Sequence, residues 1–148
     1  MIRIRPATPA DIDTIHQLGQ NVDEFHTSDV SDAFWPKQIL ADSVESDAVM
    51  LQVAQDDGEI IGFIIVNCNK SLRKAEIENI FVAPSRRQEG VASIMLQATL
   101  QNIRDANYRY ISTLVPTDDT AAIQTYQKAG FAQGETFLWL DVPVATPR

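Results

Sequence analysis

The chain has 148 residues, 45% of them apolar, which suffices for one compact domain with its own core and excludes an intrinsically disordered chain. A formal charge of −8 excludes nucleic-acid binding through phosphates, and one cysteine (Cys68) with two separated histidines (His16, His26) excludes an intrachain disulfide and the usual zinc sites. No apolar run is long enough to span a bilayer and Met1 to Arg5 lack the apolar stretch of a secretion signal, so a cytoplasmic protein with no membrane partner and no metal is expected.

Ile2 and Ile4 alternate with Arg3 and Arg5, the pattern of a short half-buried strand. Thr8-Pro9-Ala10-Asp11 then opens a helix: Thr8 caps, Pro9 suits the first helical position and Asp11 favours the positive helix end. Ile12, Ile15, Gly19 and Val22 follow at helical spacing. Residues 23–35 are polar and acidic, with Phe25, Phe34 and Trp35 interspersed, and read as a loop. Phe34 and Trp35 are candidates for the wall of an acceptor pocket, and His26 for its lining. A second helix begins near Pro36 with Ile39, Leu40 and Val44 on its buried face.

Val49 to Ala54 reads as a strand, Asp57-Gly58 as a hairpin turn, and Glu59 to Cys68 as a second strand, apolar on both faces and therefore central. A polar turn with Lys70, Arg73 and Lys74 leads to a third strand, Ala75 to Val82, ended by Pro84. Gly90 to Asn107 is a long helix whose apolar face is Val91, Ile94, Met95, Ala98 and Ile103. Tyr108 to Val115 is the next strand; after a break at Pro116 to Asp119, a last helix runs to about Ala129 and stops at Gly130. Phe131 to Val142 supplies one or two final strands, with Trp139 in the core or an interface, and residues 143–148 form a frayed tail.

The order β-α-α-β-β-β-α-β-α-β over residues 1–148 predicts a single α/β domain of mixed α+β character. The strand–helix–strand unit from Ala75 to Val115 makes a parallel pair with a right-handed crossover, and the hairpins before it are antiparallel. The sheet is thus mixed, with helices on both faces.

The stretch that carries chemistry is Val82-Ala83-Pro84-Ser85-Arg86-Arg87-Gln88-Glu89-Gly90-Val91-Ala92. A buried strand ends there and its loop runs straight into a helix, whose first turn has unpaired N–H groups and partial positive charge. Such an end suits phosphate oxygens; Gly90 lets backbone approach closely, and Arg86 and Arg87 add charge or cover the phosphates. On its own the pattern is equally that of an ordinary turn, and it matches neither the nucleotide P-loop nor the Rossmann fingerprint. Glu76 and Glu78, two apart on a strand, point to one face unless a bulge intervenes. Either is a candidate base, and either can instead face solvent or pair with Arg73 or Lys74.

Arg87-Gln88-Glu89-Gly90-Val91-Ala92 resembles the (R/Q)xxGx(G/A) pyrophosphate loop of the GNAT superfamily of N-acetyltransferases, and Val82 sits where that family has an apolar strand residue. Asp119 through Phe131 resembles the family's Asn-x-x-Ala-x-x-x-Tyr-x-x-x-Gly-Phe segment, with Ala122, Tyr126, Gly130 and Phe131 in register. Asp119 replaces the usual Asn, and Arg86 stands where an aromatic is common. The resemblance runs from Met1 to about Val142 and implies a GNAT-like acyl-CoA N-acyltransferase fold with a mostly antiparallel sheet and a central, splayed parallel strand pair.

It further implies acetyl-CoA as co-substrate: its pantetheine arm in the splay, paired near Ile80, Phe81 and Val82, and its pyrophosphate on the amides of Arg87, Gln88, Glu89, Gly90, Val91 and Ala92. Asp119 and Ala122 lie along the arm, where Asp119 either contacts it or caps the helix. Glu78, ahead of Glu76, is the favoured base, a backbone amide near Ile80 donates to the oxyanion, and Tyr126 is the general acid for the leaving thiolate. Cys68 is a poor candidate nucleophile, lying in an apolar strand with no histidine near it in sequence.

The acceptor is less legible. Residues 1–59 carry a net charge of −9 and residues 60–148 a net of +1, which is either a soluble acidic surface or a field for a cationic substrate. A small, cationic primary amine, a protein N-terminus or a lysine all fit, as does a CoA-binding sensor with no catalysis. A homodimer through the last strands is a further expectation.

Overall fold

A sheet in the order β1-β2-β3-β4-β5 carries the fold, in a computed structural model that describes residues 1–22, 25, 34–142 and 144. β1 (Arg3–Pro6), β2 (Val49–Asp56), β3 (Glu59–Asn69) and β4 (Lys74–Val82) pair antiparallel in turn, and β5 (Tyr110–Thr113) lies parallel to β4. The β2–β3 turn puts Asp57 at φ +48° and Gly58 at φ +85°, the left-handed pair that a two-residue hairpin demands. β3 is the central strand, and Phe63, Ile64, Ile65 and Val66 are completely buried because both faces are covered.

Alternate β3 residues feed two cores. Phe63 and Ile65 pack with Ile15 of α1 (Ile12–Gln20), Leu40 of α2 (Lys37–Ser43) and Phe81. Ile64 and Val66 pack with Met95, Leu96 and Ile103 of α3 (Val91–Asp105) and Tyr126 of α4 (Thr120–Lys128). The mixed sheet with helices on both faces is therefore as expected. Ile39 and Ile94 lie at the rim of their helices, 46% and 41% exposed, rather than on the buried faces assigned to them.

Two expectations need larger correction. Phe34 is core, not a pocket wall: it is 1% exposed and packs against the rings of Phe25 and Phe63. Gly19 makes this possible, since a Cβ there would lie 2.4 Å from the Phe34 ring. The final strands do not form on this chain. Phe131 folds onto Tyr126, but residues 132–142 pair with nothing among the described residues and all are exposed, Trp139 at 76% included. A strand needs a partner edge, and β5, only four residues long, keeps its outer edge open. His26, most of the acidic loop and nearly all of the 143–148 tail lie outside the described residues. No helix among the described residues is long and apolar enough to cross a membrane.

The entry into α1 rests on one ion pair. Asp11 accepts two bonds from the Arg5 guanidinium, at 2.7 and 3.0 Å, and bonds from the Thr8 backbone N–H at 2.8 Å and hydroxyl at 3.0 Å. The guanidinium above all, helped by the Thr8 donors, holds this carboxyl below the ordinary range despite its burial. A folded-state pKa below the unfolded one stabilises the fold above the unfolded value and ceases to do so as pH falls toward the folded value. Asp11→Asn is expected to cost about 1–3 kcal/mol in urea denaturation at pH 7, with the gap to the parent narrowing as pH drops below about 4.

Candidate functional site

The parallel ladder joins Lys74 to Tyr110, Ala75 to Ile111, Glu76 to Ser112 and Ile77 to Thr113, and there it stops. β4 continues to Val82 while β5 ends, so the two strands part and leave a fork. A bulge lies at the same level of β4: Asn79 faces Ile65 and Ile77 faces Val66 on β3, which leaves Glu78 with no residue opposite it. Bulges re-aim side chains, and this one falls between the two halves of β4. Ala75, Ile77, Ile80 and Val82 point into the α3–α4 core, and Phe81 into the α1–α2 core. Glu76, Glu78 and, because of the bulge, Asn79 therefore share the α1–α2 face.

Burial, and next the charge of Glu76, push the Glu78 carboxyl above the ordinary range, against a hydrogen bond from Asn67. Beside it the Trp35 indole N–H donates to Asn79 Oδ1 at 3.0 Å, which ties the start of α2 to the bulge. A cleft of about 280 Å³ on this part of the sheet is lined by Asn67, Glu76 and Ser112 among others. A larger depression of about 590 Å³, between α2, β2 and the end of α3, contains none of the predicted site residues.

Tyr126 approaches the fork from the other face of the sheet. It is 9% exposed, and burial raises its phenol above the ordinary value; Thr113 hydrogen-bonds it and Asp119 adds negative charge. The Thr113 hydroxyl in turn donates to the Ile77 carbonyl at 3.3 Å, across the last rung of the ladder. α4 ends in a Schellman motif: the Phe131 N–H bonds the Tyr126 carbonyl and the Gly130 N–H that of Gln127, with Gly130 at φ +101°. The Phe131 ring stands edge-on to Tyr126 at 5.2 Å between centroids. At the other end of α4, Asp119 Oδ1 accepts from the Ala122 N–H at 3.1 Å, so Asp119 is the helix cap.

The loop from β4 to α3 closes the site. Gln88 at φ +67° and Gly90 at φ +81° are both left-handed, and Gly90 is the N-cap of α3. A Cβ on Gly90 would meet nothing within 4 Å, so the space above the first amides is open. Arg87 Nε donates to the Val82 carbonyl at 3.0 Å, which ties the loop to the end of β4. Arg86 turns away, held by Asp56 at 2.8 Å and Glu89 at 2.7 Å. Ala92 is half-buried and Val91 fully buried behind the turn. Cys68 is half-buried at the far end of β3, and burial pushes its thiol above the ordinary value. No group of three metal-ligating side chains occurs among the described residues.

Four residues escaped the sequence reading: Asn67, Asn79, Thr113 and the Trp35–Asn79 bond that fixes Trp35. Asn67 and Asn79 are polar interruptions in apolar strands, a signal that was available; Thr113 carried none.

Residues 15–131 match the profile described as the Acetyltransferase (GNAT) family. An uncharacterized N-acetyltransferase of Methanocaldococcus jannaschii is 27% identical over 88 residues, 56% of this chain and 39% of that protein. The chain spans less than half the length of the curated relatives it matches. Among solved structures, AAC(6')-Iy in complex with the bisubstrate analogue CoA-S-monomethyl-acetylneamine superposes with a TM-score of 0.78 over 97% of this chain and 99% of that one, at 21% identity. The ribosomal-protein-S18-alanine N-acetyltransferase of Escherichia coli superposes with a TM-score of 0.73 over 91% of this chain and 80% of that one, at 19% identity. At these identities the two structures bear on the fold.

The left-handed glycines give a direct check of the site's backbone. Gly90→Ala and Gly130→Ala are each expected to lower unfolding free energy by about 1–2 kcal/mol. Gly134→Ala, where φ is not left-handed and nothing lies within 4 Å, should stay within about 0.5 kcal/mol of the parent. Chemical denaturation of the three variants measures this.

Proposed function

The chain belongs to the Acetyltransferase (GNAT) family, and from that premise we propose that it transfers an acetyl group from acetyl-CoA to a primary amine of a small, cationic molecule. One observation carries the reading. A carboxyl raised by burial, Glu78, and a phenol kept protonated by burial, Tyr126, flank one fork between parallel strands.

The residues present fit the donor. Gly90 leaves open space over the first amides of α3, where a pyrophosphate finds unpaired N–H groups and the positive helix end. Arg87 to Ala92 would hold it, Ile80 to Val82 would offer backbone groups to the pantetheine arm, and Ala122 would line that arm. Asp119 acts here by fixing the start of α4 through its cap. When bound, acetyl-CoA supplies an acetyl carbonyl activated as a thioester.

An alkylammonium has no lone pair, so the acceptor must first lose a proton. Glu78 takes it, directly or through a water, and its raised pKa brings it closer to working pH. Glu76 supports that shift by its charge. The Ile80 amide donates to the acyl oxygen as negative charge grows there. Tyr126 gives a proton or a hydrogen bond to the departing sulfur, held in place by Thr113 and Phe131. Transfer is direct, and Cys68 takes no part. The acidic first part of the chain, net −9 over residues 1–59, draws a cationic acceptor toward the α1–α2 face. The same reading puts the reaction in the cytoplasm.

One observation favours a second acceptor class. Residues 132–142 do not cover the β5 side of the fork, and an open side admits a peptide N-terminus or a lysine. CoA release from acetyl-CoA across polyamines, aminoglycosides, amino acids and short peptides separates the two. Turnover confined to peptides overturns the small-amine reading. Binding of acetyl-CoA with no turnover on any amine overturns the enzyme.

Glu78→Gln should lower kcat by roughly 10²–10⁴ and leave acetyl-CoA affinity unchanged. In the parent, kcat/KM should fall as pH drops through a pKa above the ordinary glutamate value of about 4.3, and that limb should vanish in Glu78→Gln. Arg87→Glu sets a negative charge at the pyrophosphate loop and should abolish acetyl-CoA binding by calorimetry; near-parent affinity would mean that the phosphates lie elsewhere.

A further inference from the structure

Residues 132–142 leave the body of the protein, yet their composition is that of a buried strand. Phe137, Leu138, Trp139, Leu140 and Val142 keep 74–88% of their surface in water. Apolar side chains occupy both faces of this stretch: Leu138, Leu140 and Val142 on one, Phe137 and Trp139 on the other. That is the pattern of a strand covered on both sides. Left exposed, such a segment is either a binding surface or an aggregation hazard.

Its complement is on the same chain. β5 ends the sheet and is paired on one side only. Its open edge carries Tyr110, 57% exposed, and just beyond it Leu114, 65% exposed. An unpaired edge offers a row of N–H and C=O groups to an extended segment. Within one copy the two surfaces do not meet.

We propose that they meet between two copies. Residues 136–142 of each chain add to β5 of the other as a sixth strand, in a twofold dimer with exchanged C-terminal segments. Each chain carries one donor strand and one receiving edge, so the exchange closes on itself with no foreign partner. The area suffices. An aromatic side chain buries about 150–250 Å², and a standard interface needs about 800 Å² from each partner. The five exposed side chains of the segment with the two at the receiving edge reach that figure, and reciprocity doubles it. The added strand runs along the open side of the fork, so the partner's segment borders the site.

Multi-angle light scattering at 10 μM and 100 μM, without acetyl-CoA, tests this independently of any acetyl transfer. The parent should show about twice 16.5 kDa, with hydrogen-exchange protection at residues 110–114 and 136–142. Leu138→Lys with Leu140→Lys should halve the mass and remove that protection. A monomeric parent overturns the proposal, and protection of both segments in such a monomer would show that the strand closes within its own chain. A dimer that persists in the double variant also overturns it, because another face then holds the copies together. Should the double variant fail to fold, truncation after Gly134 asks the same question, since residues 135–142 are exposed along their whole length.

Discussion

The parting of β4 and β5 beyond Ile77 and Thr113 is the constraint on which the site depends. Parallel strands that stay paired satisfy each other's backbone groups; strands that separate leave N–H and C=O groups in need of partners. Two features enforce the separation. The bulge at Glu78 bends β4, and β5 ends after four residues. The connection from β4 into α3 starts at the same end of the strand, so the positive end of α3 faces the opening by topology alone.

The bulge does a second thing. It places Glu78 and Asn79 on the same face as Glu76, so a carboxyl, its charged neighbour and an amide anchored by Trp35 converge there. Burial acts on the Glu78 carboxyl and on the Tyr126 phenol in the same direction but with opposite consequences. It moves the carboxyl toward neutral pH, where it gains strength as a base, and moves the phenol further from it, where it stays a donor. Two groups whose environments assign them different protonation states are the minimum for acid–base chemistry.

What the sequence made legible was local. Asp57-Gly58, Gly90 and Gly130 all sit at left-handed positions, because each turn type leaves few alternatives to glycine or a neighbour that tolerates the same φ. The crossover from Ala75 to Val115 and the two cores followed from alternation and handedness. What escaped depended on residues far apart in sequence. The bulge exists only because Ile65 takes Asn79 as its partner, and Phe34 is core only because Gly19 has no side chain in its way. Residues 131–142 have strand composition, but composition does not supply an edge to pair with. Tyr126 was found from its motif, whereas Thr113, which holds it at the fork, gave no sign of that role.

Cys68 has one consequence for the chemistry proposed above. A protein that uses a thioester donor keeps an electrophile beside its own side chains, and a free thiolate within reach would capture the acyl group and retain it. The single thiol of this chain is half-buried at the opposite end of β3, and its burial keeps it protonated. Self-acylation thus lacks a nucleophile, and the protein leaves each reaction cycle chemically unchanged.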